Sequence, residues 1–149
     1  LHLGAAIAGA SEELISAFRG YGHDIGIAYQ LRDDQLGVFG DPEITGKPAG
    51  DDLREGKRTE LLALALQRAD ERDPSAAATL RKFIGRTSDT QDLLRLSQII
   101  ADSGAPDEIE RRITALTESG LAHLRAANVD PQITETLEHL AIQATTRQK

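Results

Sequence analysis

Residues 11–40 read SEELISAFRGYGHDIGIAYQLRDDQLGVFG, and this stretch decides the fold class. Ser11, followed by Glu12 and Glu13, offers a side-chain acceptor and negative charge to the free N–H groups at a helix start. Further along, Ile25, Ile27, Ala28, Tyr29, Leu31, Leu36, Val38 and Phe39 supply residues for burial. Gly20, Gly22 and Gly26 each weaken a helix interior by about 1 kcal/mol relative to Ala, so close packing between helices is expected at them. The reading is one long helix.

The helical period continues on either side, without sustained strand alternation. Asp73-Pro74 and Asp130-Pro131 each put a capping acceptor before a first-turn proline. Ser88 and Gln91 have the spacing of a capping box. Pro106 with Asp107 and Glu108 marks another start, and Gly85 and Gly104 mark stops. Helices are expected over about 11–40, 59–71, 74–85, 88–102, 106–127 and 131–146, with a short one over about 1–9 ahead of them. Short connections make neighbours antiparallel, so residues 1–149 are expected to form a single all-α segment.

Composition narrows the function classes. With 149 residues, 40% hydrophobic and 28% charged, the chain reads as an ordinary globular domain. It contains no Cys, which excludes disulfide scaffolds, thiolate zinc sites and cysteine nucleophiles. A net charge of −7 argues against nucleic-acid binding, and 3% aromatics are too few to stack single-stranded bases. No run approaches the roughly 20 apolar residues of a membrane span, so a cytoplasmic location is expected. Met is absent, and the sequence opens inside the apolar run Leu1–Ala10 without a cap. The chain is therefore expected to be a piece of a longer protein.

Chemistry concentrates at the end of the long helix and just after it. Gln30, Asp33, Asp34 and Gly37 are spaced i, i+3, i+4 and i+7, which puts them in one stripe. Paired carboxylates near a helix C-terminus oppose the dipole and each other, a cost that a cation relieves. Oxygen donors without Cys or His nearby favour Mg²⁺, which takes one or two protein carboxylates and fills its other positions with water and phosphate. The pair equally fits a solvated face or a partner for Arg32. Residues 40–58, GDPEITGKPAGDDLREGKR, form a long connection rich in Gly, Pro and both signs of charge, and a loop of that length reads as functional. Its Lys47, Arg54, Lys57 and Arg58 offer countercharge, so acid, base and metal together point to a phosphate-bearing substrate.

Residues 29–59, YQLRDDQLGVFGDPEITGKPAGDDLREGKRT, resemble the second aspartate-rich region of the trans-type polyprenyl diphosphate synthases, the geranylgeranyl and farnesyl types among them. The GKPAGDD and EGKRT elements follow the acids at the family's distances, and LHLGAAIAG resembles the helix that precedes them. The resemblance implies the C-terminal part of an all-α prenyltransferase bundle. Such enzymes join an allylic diphosphate to isopentenyl diphosphate with Mg²⁺, commonly as homodimers. Carried over, Asp33 would be a direct Mg²⁺ ligand and a catalytic residue, and Asp34 would act through water or a neighbouring lysine. Gln30 would place the allylic diphosphate, with Tyr29 beside it where phenylalanine is commoner. Lys47 and Lys57 would contact diphosphate oxygens, and Arg54 and Arg58 would fix the loop through Asp51, Asp52 or Glu55.

Two departures qualify the resemblance. Gly37 replaces the third aspartate, giving DDQLG in place of DDxxD, and Asp41 lies four residues on. The first aspartate-rich motif and the isopentenyl diphosphate contacts of the family's earlier half are missing. The chain alone is therefore expected to be inactive, the enzyme being the full-length parent. The rival reading is a non-catalytic helical subunit or inactive relative; a terpene cyclase fits the lysine-bearing loop less well. His2, His23, His123 and His139 show no ligand spacing and read as structural or surface residues, and Glu108, Glu110, Arg111 and Arg112 as a solvated face.

Overall fold

The computed structural model describes residues 1–46 and 48–147, except the side chains of Ile44 and Thr45. Among them the secondary structure is helical, with no strand: α1 His2–Ile7, α2 Glu12–Phe39, α3 Pro42–Thr45, α4 Asp51–Glu55, α5 Glu60–Arg72, α6 Pro74–Phe83, α7 Thr90–Asp102, α8 Ala105–Ala126 and α9 Pro131–Thr146. The all-α expectation holds. No helix of the described residues is long and apolar enough to cross a membrane.

Local chemistry explains the boundaries. The Asp73 carboxylate accepts from the N–H groups of Ser75 and Ala76, and that of Asp130 from Gln132. Ser11 Oγ accepts from Leu14 N at 3.3 Å. Gly85 and Gly104 follow α6 and α7 at φ 68° and 72°, a left-handed turn that a Cβ disfavours. The expected Ser88 cap is corrected. Asp89 caps α7 by accepting from Gln91 N and Asp92 N, because a carboxylate one residue closer reaches the same free donors. Residues 40–58 are also corrected: the connection is not structureless, since α3 and α4 lie within it.

The chain divides into two compact units. One joins Leu1–Arg32 with Arg111–Arg147, and the other is Asp33–Glu110. In the first, Tyr21, Ile25, Leu121, Leu124, Leu137 and Ala141 form the core, with Phe18 and Val129 against it. Their spacings of three and four residues put one face of α2, α8 and α9 into that core. The buried Tyr21 hydroxyl donates to Leu137 O at 2.7 Å, which satisfies the polar end of the ring. A Cβ at Gly120 would come 2.9 Å from Ile25 Cδ1, so α8 approaches α2 through a glycine the sequence reading did not single out. Gly20 is as expected, with His123 Cγ 2.7 Å from the position of its Cβ; Gly22 and Gly26 have open space, which corrects their reading as packing glycines.

In the second unit α5 packs on α6 and α7, α6 on α7, and α4 against α7. Leu61, Leu62, Ala65 and Ala69 of α5, Ala77 and Leu80 of α6, and Leu93, Leu96 and Ile100 of α7 are buried, as is Leu53 of α4. Fully burying one such leucine contributes about 2 kcal/mol. Arg81 of α6 pairs with Asp70 of α5. Arg68 donates to Gly104 O and lies 3.6 Å from Glu108, so Glu108 belongs to an ion pair and not merely to a solvated face.

Candidate functional site

The end of α2 lies in the second unit and carries Asp33, Asp34, Gln35 and Gly37. Asp34 is 5% exposed and Gln35 is buried, its amide donating to Pro106 O at 3.0 Å. Asp33 keeps 41% of its side chain in solvent. The two neighbouring acids therefore face different surroundings, one packed and one open.

The partner of these acids arrives from α4. Asp51 and Asp52 occupy its first turn, where negative charge meets the free N–H groups, and Arg54 pairs with Asp51 at 3.1 Å. The helix ends at Gly56, and Lys57 N donates to Asp52 O at 2.9 Å, closing the turn that presents the Lys57 side chain. Gly85 pins this turn. A Cβ at Gly56 would come 2.9 Å from Gly85 Cα, and Gly85 N donates to Leu53 O at 2.8 Å. Only two glycines permit backbones to touch so closely. The sequence reading took Gly85 for a helix stop alone; nothing local in sequence shows that its other neighbour is α4.

The Lys57 ammonium donates to Asp34 Oδ1 at 3.0 Å and to Asp52 Oδ2 at 3.1 Å, and stands 4.0 Å from Asp33 Oδ2. Burial by itself would lower its pKa, but the hydrogen bonds and charges of Asp34 and Asp52 outweigh that and hold it above the ordinary lysine value. Asp33, Asp34 and Asp52 all meet this one lysine. No group of three or more His, Asp or Glu converges into a metal cage among the described residues. What the geometry offers is an exposed carboxylate, Asp33, beside a lysine-bound one, Asp34. That oxygen-only set fits Mg²⁺, which needs only one or two protein carboxylates when phosphate and water complete its shell.

The other sequence-predicted residues are placed as follows. Tyr29 and Gln30 precede the acids on α2 in the first unit, both exposed, and the Arg147 guanidinium lies 4.2 Å from the Tyr29 ring centroid. Lys47 lies outside the described residues. Asp41 caps α3, accepting from Glu43 N at 3.0 Å. Asp52 was singled out by sequence only as a possible partner of an arginine; its place beside Lys57 and Gly37 comes from the turn of α4.

A second charged cluster lies in the first unit. Asp24 meets His23 Nδ1 at 3.0 Å and His123 Nε2 at 3.6 Å. Burial would raise the Asp24 pKa, but hydrogen bonds from His23 and Ser119 and the nearby imidazoles bring it below the ordinary value. A cavity of about 1210 Å³ runs along the start of α2 and the end of α8, lined by Glu12, Glu13, Arg19, His23 and His123 among others. No residue of the Asp33–Lys57 site lines it.

Comparison with known proteins adds the following. Residues 1–101 match the polyprenyl synthetase family. The geranylfarnesyl diphosphate synthase of Aeropyrum pernix is 40% identical over 139 residues, 93% of this chain and 42% of that protein. A Corynebacterium glutamicum geranylgeranyl pyrophosphate synthase, solved with isoprenyl diphosphate and magnesium, superposes with TM-score 0.95 and 57% identity over 97% of this chain and 41% of its own. A Caulobacter crescentus polyprenyl synthase solved with calcium and isoprenyl diphosphate gives TM-score 0.86 and 36% identity over 99% of this chain and 44% of its own. The chain thus spans less than half the length of these relatives.

Proposed function

This chain belongs to the polyprenyl synthetase family, and on that premise we propose that it supplies the second aspartate-rich, diphosphate-holding part of a Mg²⁺-dependent trans-prenyltransferase. The substrates are an allylic diphosphate and isopentenyl diphosphate, and the product is a longer diphosphate of the geranylgeranyl type. The observation that carries the reading is Lys57, held by Asp34 and Asp52 at 3.0 and 3.1 Å beside the exposed Asp33.

In this reaction the C–O bond of the allylic diphosphate breaks and pyrophosphate departs with the electron pair. The isopentenyl double bond attacks the resulting carbocation, and loss of a proton gives the new double bond. Mg²⁺, when bound, neutralises charge on the departing oxygens. Asp33 would be its ligand from this chain, with Asp34 acting through Lys57. The Lys57 ammonium, kept protonated by its two acids, faces the departing diphosphate as a fixed positive charge, and Lys47 adds a second. Gln30 and Tyr29 orient the allylic substrate. The isolated chain is inactive on this reading, and the whole protein works as a homodimer, as the resemblance to the family implies, in the cytoplasm.

The test is turnover of the protein as its gene encodes it. Incorporation of isopentenyl diphosphate is expected with Mg²⁺ and not with EDTA, and Asp33→Ala is expected to lower kcat/KM on the order of 10²- to 10³-fold. Undiminished activity of Asp33→Ala would overturn the assignment. Gly37 in place of a third acid favours the alternative, a non-catalytic subunit, which predicts no turnover even by the wild type.

A further inference from the structure

Within the first unit, the last turn of α9 is fastened to α2 by two arginines, one from each helix. Arg32 Nε donates to Thr145 O at 2.7 Å, so a side chain of α2 satisfies a carbonyl near the C-terminal end of α9. Its positive charge also suits that end of the helix dipole. Thr145 is buried, and its hydroxyl donates to Ala141 O at 2.9 Å, so the turn is packed in place. Two residues on, Arg147 returns the contact, its guanidinium 4.2 Å from the centroid of the Tyr29 ring. Tyr29 and Arg32 are three residues apart and share one face of α2. Tyr29 nonetheless keeps 42% of its surface in solvent.

We propose that Arg147 is a positioning residue: from the end of α9 it sets the ring of Tyr29, and through that ring the placement of the allylic substrate. The inference rests on the functional reading above, in which Tyr29 orients that substrate; Asp33 follows it by one turn of the same helix. An exposed ring samples several rotamers, and a cation over its face favours the one in which the two meet. Arg32 holds the turn that carries Arg147, so the guanidinium is presented at a fixed place. The exposed remainder of Tyr29 is left for the substrate's hydrocarbon. Arg147 acts through the ring and not on the diphosphate itself.

The test is a double-variant cycle in the protein as its gene encodes it, read as kcat and as KM for the allylic diphosphate. Arg147→Ala is expected to raise that KM about 5-fold, the size of one cation–π contact, with kcat within about twofold of wild type. Arg147→Lys keeps a cation over the ring and is expected to bring KM back to within about twofold. Tyr29→Phe keeps the ring, so adding Arg147→Ala to it should cost as much as in wild type. Tyr29→Leu leaves no ring to position, and adding Arg147→Ala to it should change KM by less than about 1.5-fold. A loss as large on Tyr29→Leu as on wild type, from direct contact with the substrate or from general loosening of α9, would overturn the proposal. So would Arg147→Ala with a wild-type KM. A wild type without turnover in Mg²⁺ would overturn the functional reading and the substrate role of Arg147 with it. Thermal midpoints would still decide the contact itself: Arg147→Ala should lower the midpoint by about 2–4 °C with the ring present and by less than about 1 °C on Tyr29→Leu.

Discussion

Helix α2 carries two charged clusters that use similar parts to different ends. At Asp24 one carboxylate meets two imidazoles. At Asp33 and Asp34 a lysine meets carboxylates from both α2 and α4. The first arrangement ties α2 to α8 within one unit. In the second, Asp33 keeps 41% of its side chain in solvent, within reach of a divalent cation. The partner sets the difference: an ammonium is charged at neutral pH, an imidazole only when protonated.

Turnover breaks this comparison most directly. Lys57→Ala is expected to lower kcat/KM on the order of 10²-fold, whereas Asp24→Asn should stay within about threefold; equal losses in the isopentenyl transfer assay would erase the distinction. Stability follows. Removing Lys57 leaves the packed Asp34 and Asp52 without their shared ammonium, at about 2 kcal/mol, between a lost surface pair and a broken buried one. His123→Ala removes a half-exposed imidazole and should lower the urea-unfolding free energy by less than about 0.5 kcal/mol.

The pH dependence sharpens the contrast, because the two clusters fail at opposite limits. Asp24 releases its proton more readily folded than unfolded, so its contribution is complete above the ordinary value of about 3.9 and is lost as pH falls through the lowered one. Lys57 holds its proton more tightly when folded. Its contribution is complete below about 10.4 and is lost as pH rises through the raised value. Asp24→Asn should therefore flatten only the acid limb of midpoint against pH, with Asp70 and Asp73 leaving a residual slope. Lys57→Ala should flatten only the alkaline limb. Smallest is the glycine series on α2. Gly22→Ala meets open space and should add about 0.5–1 kcal/mol. Gly20→Ala should forfeit that gain against the His123 ring, 2.7–2.9 Å from the new Cβ.

Much of the fold was legible because helix ends are written in short-range chemistry. Asp73, Asp130 and Ser11 cap where their positions indicate, and Gly85 and Gly104 end α6 and α7. The Ser88 reading erred by one residue because Ser88 and Asp89 both offer an acceptor, and the carboxylate took the donors. The connection over 40–58 reads as one long loop from its Gly and Pro, yet Asp41-Pro42 starts α3, and Gly50 and Gly56 bracket α4. Of the site, the sequence reading has Asp33 and Asp34 on the long helix, as observed, but has Lys57 in a loop and not after α4, and it could not orient any of them. That one acid is packed and its neighbour open depends on what lies against α2.

The sequence by itself determined that this chain is helical, where most of its longer helices begin and end, and that acids and lysines gather about one helix end. Each of these follows from periodicity and from contacts a few residues long. Tertiary structure alone decided that Gly85 holds the α4 turn in place, that Asp52 stands beside Gly37, and that Lys57 is held from two elements. Those are encounters between surfaces distant in sequence. They depend on volumes excluded and charges neutralised in space, which no spacing along the chain records.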